Sequence, residues 1–361
     1  MAERKLVLQD GTEFYGKGFG GTGEAVFEIV FNTSMVGYQE IISDPSYIYQ
    51  GVVMTYPIIG SYGITDDDFE SRSITVSSLI VREYNDHPSN FRCTKTLGEV
   101  MEESSVPCIC GVDTRKLTRH IRNNGAMRAI ITDADVPAAE AVKKINDTEV
   151  KKDAVKKVSC KKRWYARTFS PKYNVVVIDC GARLSVIRTL NSHACNVTVV
   201  PYNTSVEEVL ATEPDGVFVS NGPGCAKDVP EVVELVKKLI GVVPVCGTCF
   251  GHEVIALACG ADIVKLKYGH NGSNYPVENV KLGTVETTAQ NHSYAVDEAS
   301  LLGTGFSVTH RNVFDGSVEG IACEEKKVFS LQFSPDSAEG PQGIASIYKD
   351  FISVMEENKN A

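Results

Sequence analysis

The sequence lacks any long apolar segment. No stretch of the 361 residues approaches the roughly 18 uninterrupted apolar residues that a membrane helix needs. The first residues, Met1 to Leu6, contain no apolar core of the kind that defines a secretory signal. We therefore expect a cytoplasmic protein that neither spans nor enters a membrane.

Basic residues are in the minority, at 36 against 46 acidic residues, which gives a formal charge of −10. Proteins that bind nucleic-acid phosphates usually carry a strongly basic surface, so this balance argues against such a partner. One basic run, Lys151 to Arg163, has seven basic residues and one acid. No aromatic residue is interleaved in it, and we interpret it as a solvated linker.

Without an export signal, the eleven cysteines are expected to stay reduced rather than to form disulfides. Cys108 and Cys110 are too close to chelate a metal from one loop, and no second pair at zinc spacing accompanies Cys246 and Cys249. The sequence thus predicts no metal site. It leaves open whether Cys246 and Cys249 are a redox pair or whether one cysteine is a catalytic thiol.

The chain on either side of the basic run has different patterns. Residues 1–150 are predicted to be mostly strands, of which Val26–Phe31 is the clearest, and a helix is expected to open with Asp135 as its N-cap. Residues 173–361 alternate strands with helices, beginning with the apolar strand Asn174–Asp179. We predict two domains joined by a linker at 151–172, the second an α/β domain with a doubly wound parallel sheet.

Gly18 to Gly23 match the dinucleotide-binding fingerprint letter by letter. That fingerprint needs a helix directly after its last glycine, so that the helix N-terminus can hold the pyrophosphate. Residues 24–31 are strand-like instead. We therefore predict a glycine-rich turn between strands and no dinucleotide cofactor.

A sharper pattern surrounds Cys249. Gly247–Gly251 is a small-x-nucleophile-x-small turn between a predicted strand, Val242–Cys246, and a predicted helix, His252–Cys259. The helix N-terminus would favour the thiolate, and the N–H of Phe250 would form part of an oxyanion hole. The alternative is a buried cysteine at a tight turn.

A second glycine-rich loop, Ser220–Gly224, ends another predicted strand and could present backbone N–H groups to a ligand. This loop, the Cys249 motif and Gln290–His292 together resemble the class I (triad) glutamine amidotransferases. Four segments of the amino-terminal half narrow the resemblance to the small subunit of carbamoyl-phosphate synthetase, and the likeness covers nearly the whole chain. These segments are Phe31–Ile41, Asp44–Tyr47, Ser89–Arg92 and Gly111–Arg119. Tyr268–Asn274 and Ser337–Pro341 fit the same family.

The resemblance implies a β-rich amino-terminal domain that docks on a large synthetase subunit, followed by a flavodoxin-like glutaminase domain. It implies that Cys249 attacks the side-chain amide of glutamine, that water hydrolyses the thioester, and that ammonia passes to the large subunit. The large subunit would use ATP and Mg²⁺ to make carbamoyl phosphate from bicarbonate, and this chain would need no cofactor. The implied glutamine contacts are Ser46, Gly222, Gly224, Phe250, Glu253, Asn291, Ser293 and Tyr294.

The sequence departs from the family where the triad should be completed. The family has His-Pro-Glu after its last core strand, whereas this chain has Ser334-Pro335-Asp336. Serine does not titrate near neutrality, and loss of a general base costs about 10²- to 10⁴-fold in rate. Glu253 replaces a glutamine and would add negative charge beside the substrate carboxylate, and Ser293 replaces a glycine.

Two hypotheses follow. The chain is the glutamine-hydrolysing small chain of carbamoyl-phosphate synthetase, or it is a glutaminase-impaired relative that serves as a structural or regulatory partner. His252 or His292 could substitute for the missing base, although the family carries its own histidines at both positions. The sequence does not distinguish arginine from pyrimidine biosynthesis.

Overall fold

The computed structural model describes residues 2–335 and 346–360. The chain forms two compact units. One comprises Met1–Lys151 and Lys267–Asn271, and the other comprises Lys152–Leu266 and Gly272–Ala361. Among the described residues, no helix is both long and apolar enough to cross a membrane.

The amino-terminal unit is built on a closed barrel with the strand order β1-β2-β8-β6-β4-β3-β9. Its strands are β1 (Glu3–Leu8), β2 (Glu13–Gly20), β3 (Ala25–Asn32), β4 (Gln50–Met54), β5 (Ile58–Ile59), β6 (Ser78–Ile80), β7 (Glu83–Tyr84), β8 (Pro107–Cys110) and β9 (Met127–Asp133). Its helices are α1 (Tyr38–Ser43), α2 (Leu97–Glu103), α3 (Thr114–Asn124) and α4 (Ala138–Asp147).

The barrel closes because β-branched and aromatic side chains fill it from strands that are distant in sequence. Leu6, Phe27, Ile80 and Ile131 belong to one buried cluster, contributed by β1, β3, β6 and β9. The predicted strand Val26–Phe31 is confirmed within β3, and the loop between β2 and β3 confirms that no helix follows the glycine-rich turn.

The predicted N-cap of α4 is wrong. The helix begins at Ala138 with Pro137 in the cap position, at φ −60° and ψ 139°, and no side chain caps it. The residue before a proline is disfavoured in helical geometry, so the helix cannot extend back to Asp135.

The carboxyl-terminal unit contains a ten-stranded sheet in its described residues, in the order β10-β12-β11-β13-β14-β19-β18-β16-β15-β17. Its strands are β10 (Trp164–Ala166), β11 (Tyr173–Asp179), β12 (Cys195–Pro201), β13 (Gly216–Val219), β14 (Val245–Thr248), β15 (Ile263–Asn279), β16 (Thr284–Val296), β17 (Ser307–Asn312), β18 (Val318–Cys323) and β19 (Val328–Leu331). Its helices are α5 (Ala154–Val158), α6 (Leu184–Ser192), α7 (Val206–Leu210), α8 (Pro230–Leu239), α9 (Phe250–Ala258) and α10 (Ser346–Asn360).

The sheet core is parallel, as predicted. β11 pairs in parallel with β12 and β13, β13 with β14, and β14 with β19. These strands are continuous apolar runs because helices cover both of their faces, and the side chains of Val177 and Ile178 are fully buried in separate clusters. Consequently the carboxyl ends of β13, β14 and β19 lie side by side.

The segment 151–172, predicted as a basic linker, contains the short helix α5 and the strand β10, which pairs antiparallel with β12. Its basic side chains from Lys156 to Arg163 are exposed, as expected for a solvated segment.

Candidate functional site

The turn at Cys249 joins β14 directly to α9. Cys249 has φ 53° and ψ −114°, a positive-φ conformation that is rare for a side-chain-bearing residue, and α9 starts at the next residue, Phe250. Glycine keeps both sides of the turn free of steric conflict, and the conflict with backbone atoms is at Gly251. A Cβ on Gly247 would come within 2.8 Å of the Ile255 side chain, and one on Gly251 would clash with the carbonyl oxygen of Val219. The predicted nucleophile elbow is therefore the geometry that the structure has.

The thiol of Cys249 is almost fully buried among polar groups from neighbouring strands. Its sulfur lies 3.6 Å from Ser334 Oγ and 3.6 Å from the carbonyl oxygen of Asn291. The backbone N–H of Cys249 donates to the carbonyl of Leu331 at 2.8 Å. The elbow is thus fixed to the end of β19, and Ser334, the residue at the family's histidine position, faces the thiol.

Phe250 occupies the first position of a nine-residue helix. Backbone N–H groups in the first turn of a helix have no intrahelical acceptor, and the positive end of the helix dipole lies there. This arrangement can stabilise negative charge that develops next to Cys249.

The glycine-rich loop Ser220–Gly224 follows β13 and lies beside the elbow, since Gly251 packs against Val219 and Ser220 at the end of that strand. Side-chain bonds fix the loop: Cys180 N donates to Ser220 Oγ at 3.0 Å, and Asn221 Nδ2 donates to the Gly181 carbonyl at 3.0 Å. Gly224 has φ +83°. Two backbone loops therefore meet at the carboxyl edge of one parallel sheet.

The other predicted glutamine contacts are divided between the two units. Asn291, Ser293 and Tyr294 lie on β16, against which α9 packs, and the Asn291 amide nitrogen is buried without a partner among the described residues. Ser46 belongs to the amino-terminal unit, where its N–H donates to Asp44 Oδ1 at 2.8 Å. Asp336, the predicted counterpart of the family's glutamate, lies outside the described residues.

The prediction that Glu253 is negatively charged is wrong, because its side chain is buried. The side chain is enclosed in the first turn of α9, and this burial raises its pKa to about 8, while a hydrogen bond from Gln332 opposes the shift. At neutral pH the carboxyl group is therefore mostly protonated. An uncharged carboxyl resembles the amide it replaces more closely than a carboxylate does.

Both candidate histidines have hydrogen-bond partners of their own. His252 Nδ1 lies 2.9 Å from Ser330 Oγ, and burial lowers the pKa of His252 to about 3. His292 places its ring nitrogens 2.6 Å from the Tyr294 carbonyl and 3.1 Å from Gln290 Oε1.

The redox interpretation of Cys246 finds no support in its surroundings. Cys246 is fully buried, and burial raises its thiol pKa well above the usual value. All eleven cysteines fall within the described residues, and they are thiols rather than disulfides. A buried neutral thiol in a strand behaves as a small apolar side chain.

The sequence interpretation missed Gln332. Its side-chain amide donates to the carbonyl of Cys249 at 3.4 Å and to Glu253 Oε1 at 3.3 Å. The available signal was a polar residue inside the apolar segment Val328–Phe333.

The fold defines an α/β domain with a cysteine at a strand–helix elbow, and a β-barrel domain that precedes it in the chain. Comparison with known proteins assigns both parts to a family. Residues 6–131 match the carbamoyl-phosphate synthase small chain, CPSase domain, and residues 176–354 match glutamine amidotransferase class-I. The chain belongs to the family of carbamoyl-phosphate synthase small chains.

Full-length relatives agree with this assignment. The chain is 43% identical over 359 residues to the carbamoyl phosphate synthase small chain of Oceanobacillus iheyensis, covering 99% of this chain and 98% of that one. It is 45% identical over 358 residues to the carbamoyl phosphate synthase pyrimidine-specific small chain of Halalkalibacterium halodurans, with the same coverage. The likeness to this family expected from the sequence motifs is confirmed.

Proposed function

We propose that this chain is the glutamine-hydrolysing subunit of a carbamoyl-phosphate synthase. Cys249 forms a γ-glutamyl thioester, water hydrolyses the thioester, and the released ammonia passes to a large chain. That chain uses ammonia, bicarbonate, ATP and Mg²⁺, so the small chain itself needs no cofactor. The proposed complex is a cytoplasmic heterodimer in which residues 1–150 dock on the large chain.

The single observation that carries this proposal is the elbow geometry of Cys249. A strained residue held between two glycines at a helix N-terminus is a costly arrangement of about 1–3 kcal/mol, and such strain is typical of active sites. Cys249 directly precedes the N-terminus of α9, and the N–H groups there can supply the oxyanion stabilisation that acyl transfer requires.

We assign glutamine binding to residues in the same unit as this elbow, namely Gly222, Gly224, Phe250, Glu253, Asn291, Ser293 and Tyr294. We add Ser46 of the amino-terminal unit on the family resemblance alone. The neutral state of Glu253 at neutral pH supports its place in this set, because a protonated carboxyl can accept and donate hydrogen bonds like an amide. Asn291 supports it too, because its buried amide nitrogen has no partner among the described residues.

Removal of the proton from the Cys249 thiol is the step of the mechanism that the site supports least. The sulfur donates to the Asn291 carbonyl, a contact that favours the protonated thiol, and Ser334 Oγ at 3.6 Å cannot take the proton at neutral pH. The helix N-terminus favours the thiolate, but it is not a base that takes up the proton. We infer that glutamine hydrolysis is slow relative to enzymes that have a histidine base.

The serine at position 334, which cannot take the thiol proton, also supports a second candidate function. A chain that binds glutamine at this elbow but turns it over too slowly to supply ammonia would serve as a structural or regulatory partner of the large chain. The two candidates share the same binding residues, and they differ only in the rate at which Cys249 reacts.

The test is to reconstitute the chain with a large carbamoyl-phosphate synthase subunit and to compare glutamine with ammonium as the nitrogen source. The glutamine-hydrolysing function predicts glutamine-dependent carbamoyl phosphate that disappears in Cys249→Ala, while synthesis from ammonium persists. Synthesis from ammonium alone, with none from glutamine, would replace this function with the second candidate.

A further inference from the structure

Gln332 is a fully buried amide at the carboxyl end of the sheet core. It directly follows β19, and its backbone N–H donates to the carbonyl of Glu319 on β18 at 2.8 Å. Burying an amide without full hydrogen bonding lowers stability, and an apolar residue of similar size would avoid that cost. The contacts of this side chain therefore need an explanation.

Both donors of the Gln332 amide are used at the candidate active site. Nε2 donates to the Cys249 carbonyl at 3.4 Å and to Glu253 Oε1 at 3.3 Å. The Cys249 carbonyl also accepts the N–H of His252 at 3.0 Å, while the Cys249 N–H donates to Leu331, the residue before Gln332. The residue with positive φ is consequently held on both sides by neighbouring residues of one strand end.

We propose that Gln332 is a positioning residue of this site: its amide holds the Cys249 elbow and the Glu253 carboxyl in one fixed arrangement. The proposal rests on the function proposed above only in taking Cys249 as the reacting thiol. It assigns Gln332 no contact with substrate.

The positioning role of Gln332 can be measured through the ionisation of Glu253, which lies in buried surroundings. Glu253 Oε2 and Gln332 Oε1 are buried and have no hydrogen-bond partner among the described residues. The Cys225 thiol, in the loop that follows β13, is one titratable group that interacts with Glu253. Strands packed on α9 also carry titratable residues, namely His292 and Tyr294 on β16 and Glu319 on β18.

Removal of the amide should change Glu253 in a known direction. The hydrogen bond from Gln332 lowers the pKa of Glu253 against the larger effect of burial. In Gln332→Met, which keeps the length of the side chain but not its donors, the pKa of Glu253 should rise above about 8. The infrared band of the buried protonated carboxyl, identified by its absence in Glu253→Gln, follows that titration directly.

The elbow should respond in the same variant. Loss of one hydrogen bond to the Cys249 carbonyl is expected to slow iodoacetamide alkylation of Cys249 by roughly five- to tenfold at pH 7.5. Tandem mass spectrometry separates Cys249 from Cys246 and Cys259 in the same peptide. If Gln332→Met does not fold, Gln332→Asn, which keeps the amide but cannot reach both acceptors, should show the same two changes.

Gln39 provides a matched control. It is equally buried and bonds Thr65 through both its nitrogen and its oxygen, within the amino-terminal unit. Gln39→Met should lower stability without changing the Glu253 titration or the alkylation of Cys249. The proposal is overturned if Gln332→Met leaves both readouts at wild-type values, or if Gln39→Met changes them equally. Neither readout needs glutamine turnover, so both can hold even if glutamine hydrolysis is not found.

Discussion

Replacing Ser334 with histidine should increase glutamine hydrolysis. Ser334 is 7% exposed, its N–H donates to the Ala289 carbonyl at 2.9 Å, and its Oγ already faces the Cys249 sulfur at 3.6 Å. Because the backbone is fixed by this bond, an imidazole at the same position projects toward the same sulfur. It can take the thiol proton and later give a proton to the departing ammonia, which a hydroxyl cannot do.

The expected gain has two parts. A cysteine thiol with an ordinary pKa of about 8.5 is only a few per cent ionised at neutral pH, so full ionisation gives roughly 30-fold. Proton donation to the leaving group adds to this, within the total of about 10²- to 10⁴-fold that general acid–base catalysis supplies. That total corresponds to a barrier lower by about 3–5 kcal/mol.

The assay is release of glutamate from glutamine by the purified chain, alone and with a large subunit. Ser334→Ala is the control, because it removes the hydroxyl without adding a base, and we expect it to stay within about threefold of the wild type. Turnover in the wild type that already equals that of Ser334→His would refute the reasoning. So would a large loss of activity in Ser334→Ala, which would give the hydroxyl a direct role.

Three further predictions concern the elbow and its surroundings. Cys249→Ala should abolish glutamate release yet leave carbamoyl phosphate synthesis from ammonium intact in the reconstituted complex, and equal loss of both would contradict this. Gly251→Ala should lower the free energy of unfolding by about 1–3 kcal/mol in denaturant titration, because its Cβ clashes with the Val219 carbonyl. In Gly260→Ala the added Cβ meets no atom within 4 Å, so that variant measures only the cost of a positive φ at a residue with a side chain. Glu253 holds its proton more tightly when folded, with a pKa near 8 against 4.5, so it makes stability fall as pH rises through that window. Glu253→Gln should therefore raise the free energy of unfolding by roughly 2–3 kcal/mol more at pH 7.5 than at pH 5, and an equal change at both values would refute the shift.

Patterns with a direct backbone cause could be predicted from the sequence. The elbow follows from glycines at 247 and 251, which a tight turn needs, and the capping box of α7, with Ser205 bonded to the N–H of Glu208, follows from local side-chain chemistry. The parallel sheet follows from alternating apolar strands and helices. Element ends were less accurate: β14 begins at Val245 rather than Val242, because Val242 is exposed in the turn after α8.

Properties that depend on tertiary surroundings could not be predicted. Glu253 was expected to be charged, and only its enclosure in the folded unit shows that it is mostly neutral. The link from Gln332 to Cys249 joins residues 83 positions apart in the sequence. The hydrogen bonds of His292 to the Tyr294 carbonyl and to Gln290 Oε1 exist only in the folded strand. The sequence therefore could not decide between a catalytic and a structural histidine.

The most direct test of the central claim is mass spectrometry of the protein quenched in acid during incubation with glutamine. If Cys249 is the nucleophile, any γ-glutamyl adduct trapped by the acid quench should lie on Cys249, and it should be absent in Cys249→Ala. Glutamate release without any adduct on Cys249, persisting in Cys249→Ala, would contradict the account.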